Sequence, residues 1–184
     1  LYVSLYMLGF GFGSGAQILI SRRNGEKRHE EIGTITRLTM MTLTAFGVII
    51  IALVLVFAPA TVGAMIKSDE VSAAALEFTP TRIWGLVFAF ANVSFRAFFV
   101  GIARTRLLGY SAAVMAIVNV VLDYALIFGH FGLPAMGIKG AALASVIAEA
   151  SSVVFTLVYI SRTVDTKRYR FFAAASNQGH ILRQ

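Results

Sequence analysis

Phe46-Gly-Val-Ile-Ile-Ile-Ala-Leu-Val-Leu-Val-Phe-Ala-Pro-Ala-Thr-Val-Gly-Ala64 carries no charge and a single hydroxyl. Wound as an α-helix, about 20 such residues reach about 30 Å, the thickness of the hydrocarbon core of a bilayer. Four more apolar stretches flank it, so the candidate spans fall at about 1–21, 40–66, 81–103, 110–129 and 138–160. None alternates polar and apolar side chains as the strands of an outer-membrane barrel do. The expected fold is therefore all-α, a polytopic transmembrane helical bundle over 1–161, with a short basic segment at 162–184. Arg37 to Thr44 should continue the second helix inward, its threonine hydroxyls bonded to carbonyls one turn back. Val71 to Phe78 reads as a short surface helix before Pro80 opens the third span.

Composition agrees with a membrane protein. Of 184 residues, 58% are hydrophobic and 14% charged, against about 25% charged in an average soluble domain. The apolar content excludes intrinsic disorder, and the lack of cysteine excludes a disulfide scaffold. A net charge of +7 would suit nucleic acid if it formed one patch. Here the basic residues lie in short loops between apolar runs, which fits a membrane edge and argues against a nucleic-acid partner.

Those loops also predict orientation. Arg22, Arg23, Lys27, Arg28, Arg37, Arg104, Arg106, Arg162, Lys167, Arg168 and Arg170 fall on one side, eleven in all, against Lys67, Arg82 and Lys139 on the other. The positive-inside rule places the eleven in the cytoplasm, so 161–184 is expected inside a plasma membrane, the inner membrane in a bacterium. The first span opens at Leu1 with no methionine and no basic region ahead of it. It is not a signal peptide, and the expectation is a fragment cut inside or just before a helix.

Ionisable residues inside a span are costly and face a bundle interior or a wet cavity. Asn119 and Asp123 stand four apart on one helical face. They read either as a cation or proton site, with several oxygens for a hard ion, or as a structural hydrogen-bond pair. Arg96 either snorkels toward the cytoplasmic end of its span or pairs with a carboxylate across a cavity. Glu149, with Ser145 one turn before it, is the deepest acid by position and is expected to face a cavity.

Gly9, Gly11, Gly13 and Gly15 do not form a nucleotide loop, because no strand precedes them and no Lys-Ser or Lys-Thr follows. Gly11 with Gly15, and Gly137 with Gly140, are instead expected to let neighbouring helices approach closely. Phe88, Phe90, Phe95, Phe98 and Phe99 crowd the third span, either as packing or as the lining of a pocket for aromatic or cationic compounds. His29, His130 and His180 have no spaced partners, and there is no HExxH and no nucleophile elbow. The chain reads as a non-enzyme.

Four stretches together resemble one family. Gln17-Ile-Leu-Ile-Ser-Arg22-Arg-Asn-Gly25, Gly101-Ile-Ala-Arg-Thr105-Arg106, Asn119-Val-Val-Leu-Asp123-Tyr-Ala-Leu-Ile-Phe-Gly129 and Gly132-Leu-Pro134-Ala-Met-Gly137-Ile-Lys-Gly140-Ala-Ala-Leu-Ala-Ser145 look like the multidrug and toxic compound extrusion (MATE) transporters. Their order and spacing match that family's second to sixth helices. The resemblance implies twelve helices in two lobes around a cavity that opens alternately to each side, with this chain a partial first lobe. It implies an antiporter, monomeric when complete, exporting small organic compounds, amphipathic or cationic, in exchange for protons or sodium ions. A flippase for lipid-linked oligosaccharide or polysaccharide precursors is the alternative from the same superfamily. The segment 162–184 would begin the connection to the missing second lobe. By the same resemblance, Thr105 and Arg106 stand at a motif after the fourth helix, Asn119 and Asp123 belong to a coupling network, and Ser145 takes the place of a threonine. No cofactor or further metal is implied beyond that coupling ion. The family's first-helix aspartate has no counterpart in this chain.

Overall fold

In the computed structural model, which describes residues 2–65, 67–164 and 169, six helices follow in order. They are α1 (Tyr2–Gly25), α2 (His29–Met65), α3 (Asp69–Arg82), α4 (Gly85–Gly101), α5 (Arg106–Phe128) and α6 (Gly137–Thr163). Four of them, α1, α2, α5 and α6, are long and apolar enough to cross a membrane, and α3 with α4 makes a fifth candidate bent by 51°. Phe171 and Phe172, with the basic residues Lys167, Arg168 and Arg170, lie outside the described residues.

The second helix is longer than its apolar run. It starts at His29 and extends over 37 residues, about 55 Å at 1.5 Å per residue, so it projects well past a hydrocarbon core. Thr36 and Thr39 donate their hydroxyls to the carbonyls of Ile32 and Ile35, at 2.9 and 2.8 Å. Ion pairs clasp its entry turn: Arg23 reaches Glu26 at 2.8 Å and Glu31 at 2.9 Å. Glu30 and Glu31 also sit in the first turn, where the helix dipole favours acids.

The third span departs from expectation. It is broken, and Pro80 does not open it. Helix α3 starts at Ser68, whose hydroxyl accepts from the Val71 amide, and runs through Pro80 to Arg82. The chain then turns on the Leu86 amide bonding the Ile83 carbonyl at 3.0 Å, and α4 begins at Gly85. Apolar composition reads straight through this bend, because Ile83, Trp84 and Leu86 are as hydrophobic as the residues on either side.

Helix α4 is the hub. It packs on α1, α2 and α6, and Phe90, Phe98 and Phe99 are wholly buried in it. Helices α5 and α6 form an antiparallel hairpin, closed by Gly129, which caps α5 at φ 76° where a side chain would be strained. Gly140 rides on the α5 backbone, and a Cβ there would stand 2.5 Å from the Leu126 carbonyl oxygen.

The other small residues find different surroundings among the described residues. Gly11 and Gly15 are exposed, and a Cβ on either meets nothing within 4 Å among the described residues. On α1 the glycines that meet α4 are Gly9 and Gly13, against Phe90 and Val93. A displacement of two residues turns about 200° around a helix, so a run of alternate glycines presents two different faces. Gly137 likewise meets nothing among the described residues, and it opens α6 at φ 54°, a backbone requirement.

One end of the bundle collects the basic loops. Gly101 abuts Ile20 and the Ser21 amide, and the Tyr169 ring meets those of His29 and Phe98, so the α1–α2 turn, the end of α4 and the exit of α6 lie together. At the opposite end Lys139 pairs with Glu77 at 3.6 Å.

Candidate functional site

Each of four helices turns one polar stripe toward a common gap. Tyr2 and Tyr6 are a turn apart on α1, as are Asn92 and Arg96 on α4 and Ser111 and Met115 on α5. On α6, Glu149, Ser152 and Thr156 follow at spacings of three and four. Helices α4 and α5 barely touch beyond their connecting turn. The stripes therefore line a cavity of about 470 Å³ instead of closing into a core.

Glu149 is the centre of its polar network. Arg82 binds it in a fork, Nη2 donating to Oε1 at 2.7 Å and Nη1 to Oε2 at 3.2 Å. The Tyr2 hydroxyl donates to the same carboxylate at 2.9 and 3.1 Å, and the Arg82 guanidinium lies over the Tyr2 ring at 3.6 Å. Both charged side chains are only 14% exposed, so either would be costly to bury without the other. Gly85 leaves the space for this cluster, since a Cβ there would collide with both Arg82 and Glu149. From Glu149 the network runs inward: Asn92 Nδ2 donates to the Glu149 carbonyl at 3.3 Å, and Ser152 Oγ donates to Asn92 Oδ1 at 3.1 Å. Ser111 joins Ser152 at 2.6 Å and Thr156 at 3.3 Å.

Arg96 stands at the cavity with its guanidinium over the Phe10 ring, 4.6 Å from the centroid. It is exposed and has no carboxylate partner among the described residues. Of the two readings open at the sequence, the structure gives the cavity without the ion pair.

Asn119 and Asp123 lie one turn apart on α5 but do not line this cavity. Asn119 Nδ2 and Asp123 Oδ1 are buried with no hydrogen-bond partner among the described residues. A buried carboxylate oxygen with no donor suits a proton or a cation that supplies the missing contact. The described residues hold no cluster of three His, Cys, Asp or Glu that would complete a metal site. Ser145 is half-buried on α6, and the α5–α6 register, set by Gly140 on Leu126 and Ser152 beside Ser111, puts it level with this part of α5. Thr105 and Arg106 are elsewhere, exposed at the start of α5, and Thr105 makes no capping bond with its side chain.

The sequence reading missed Arg82, Asn92, Tyr2, Ser111, Ser152 and Thr156. Arg82 was counted as a loop charge although it falls within the third span, and Asn92 was an unused amide in the same apolar run.

The overall fold is shared with known proteins. Residues 1–125 match the MatE family. The chain belongs to that family. Among curated MatE relatives, the probable multidrug resistance protein NorM of Rhizobium meliloti is 28% identical over 171 residues, 93% of this chain and 36% of that protein. Its namesake in Agrobacterium fabrum is 34% identical over 106 residues, 58% of this chain and 23% of that protein. The chain therefore spans about a third or less of these relatives' length. A solved inward-facing multidrug resistance MATE transporter of the MOP superfamily superposes with a TM-score of 0.81 at 19% identity, over 97% of this chain and 40% of that one. At that identity the likeness is one of fold.

Proposed function

We propose that this chain forms the second to sixth helices of the first lobe of a secondary active antiporter. It exports small organic compounds in exchange for protons or sodium ions by alternating access. The observation that carries the reading is the Asn119–Asp123 pair, with buried and unpartnered polar atoms inside an apolar helix of a MatE protein. An acid left without a donor in a low-dielectric bundle binds a proton or cation readily, and its charge then alternates with occupancy. Asn119, and Ser145 at the same level of α6, are the residues placed to orient it. The large cavity nearby gives organic cargo a place apart from the ion, as exchange requires. Thr105 and Arg106 would act at the basic end, in the movement between the two facing states. The basic end is the cytoplasmic one in this reading, which sets the protein in a bacterial plasma membrane like its relatives' hosts. A complete copy would be a monomer, with 162–184 leading to the second lobe.

A flippase of the same superfamily is less favoured, because the curated relatives are described as multidrug resistance proteins. The test is efflux of an organic dye from proteoliposomes holding the complete protein, under imposed proton and sodium gradients. Asp123→Asn should keep the wild-type melting temperature within a few degrees and lose gradient-driven exchange, since an amide cannot alternate between charged and neutral forms. Undiminished gradient dependence in well-folded Asp123→Asn protein would move coupling away from this residue.

A further inference from the structure

Helix α3 is tied to the bundle by charge more than by packing. It lies along α6 and barely touches α4, the helix it leads into, and none of its residues is fully buried among the described residues. Two ion pairs join it to α6: Glu77 with Lys139 at 3.6 Å, and Arg82 with Glu149 at 2.7 Å. The first is exposed, and such a pair holds little. The second is largely buried and forked. An element with few buried apolar contacts opens locally at lower cost than the core around it. The Arg82–Glu149 pair is therefore the main specific restraint on α3.

That pair stands at two junctions at once. One is the break in the third span, where the chain bends by 51° between Arg82 and Gly85. The other is an end of the cavity. Tyr2 and Glu149 line the cavity at its end away from the basic loops, whereas Leu108 and Thr156 line it toward them. Arg82 lies just outside the lining, joined to Glu149 by the fork and set over the Tyr2 ring. Helices α1, α3 and α6 thus meet at one point. Gly85 lets α4 begin against the same point, where a side chain would collide with Arg82 and Glu149.

We propose that Arg82, Glu149 and Tyr2 form a latch. Closed, it holds α3 bent against α6 and seals this end of the cavity. Released, it lets α3 swing about the Ile83–Gly85 turn and opens the cavity toward the end where α3 begins. The opening is measured without transport, so its outcome is independent of the antiporter reading. A latch differs from a merely stabilising pair in one respect. Removing both charges restores stability, because no charge is left stranded, but it does not restore closure.

The experiment uses the complete protein with Ala112→Cys, on the cavity wall of α5, as its only thiol. The rate of reaction with an impermeant maleimide is followed in membrane vesicles, with the reagent on whichever side labels Ser72→Cys of α3. Each rate is taken well below the melting temperature of its variant. Arg82→Gln/Glu149→Gln should react at least about tenfold faster than the protein with the latch intact, the scale of one lost charge-assisted contact. It should do so although it melts above either single variant. Tyr2→Phe, which deletes one donor and keeps the ring, should give a smaller increase, and it carries the test if the double variant does not fold. Glu77→Gln, which breaks the exposed pair, should leave the rate unchanged. Ser94→Cys, wholly buried on α4, should stay unreactive throughout. The latch is overturned if the double variant, or Tyr2→Phe in its place, labels at the unaltered rate. It is equally overturned if Glu77→Gln accelerates labelling as much, or if Ser94→Cys becomes reactive alongside Ala112→Cys, since either means general loosening.

Discussion

Glu149 and Arg82 show how a single residue's role depends on its partner. Each charge would be untenable alone among apolar helices, and together they form a forked pair with Tyr2 as a third member. Glu149→Gln should therefore destabilise the complete protein by about 1.5–3 kcal/mol, the scale of a charge-assisted hydrogen bond. Arg82→Gln should cost a similar amount, because it strands the carboxylate. The double variant should melt higher than either single one, since no uncompensated charge remains. Strictly additive melting shifts across this cycle would mean that the pair does not couple. Gly85→Ala should lower stability in the same direction, because its Cβ collides with both members of the pair. At this scale Glu149 and Asp123 were legible in the sequence, since an acid in an apolar run is rare and costly. Arg82 was not, because nothing local distinguishes a loop arginine from one whose partner lies 67 positions away.

Among the elements, the hairpin of α5 and α6 depends on one bare backbone position. A side chain at Gly140 must push against the Leu126 carbonyl, a fixed atom with no rotamer to yield. Gly140→Ala should thus lower the melting temperature, with an overpacking penalty of about 1–3 kcal/mol. Gly15→Ala meets nothing among the described residues and should be neutral or stabilising by up to about 1 kcal/mol, from better helix propensity. Equal melting shifts in the two variants would refute the packing described for α6. The sequence showed that small residues were present on α1 and α6, but not which of them touched a neighbour. Four glycines at alternate positions satisfy the same spacing rule on two faces. Only the placement of Phe90 and Val93 distinguishes Gly9 and Gly13 from Gly11 and Gly15.

For the molecule as a whole, gathering the α1–α2 turn, the end of α4 and the exit of α6 at one end makes orientation testable. The chain has no cysteine, so introduced thiols give an unambiguous signal. Cysteines at Asn24 and Thr105 should resist an impermeant thiol reagent in intact cells, while those at Ser72 and His130 should react. Labelling of the Asn24 position from outside would invert the topology. The positive-inside rule predicts this orientation, because basic side chains resist translocation.

Hydrophobic length and charge placement were legible in the sequence alone. These depend on transfer free energies that each segment carries independently of its neighbours. The bend between α3 and α4, the pairing of Arg82 with Glu149, the α1 glycines that meet α4 and the polar lining of the cavity were decided only in three dimensions. Each depends on which face of one helix meets which face of another. Side chains on one helix face recur every three or four residues, and in the sequence their partners are separated by whole spans.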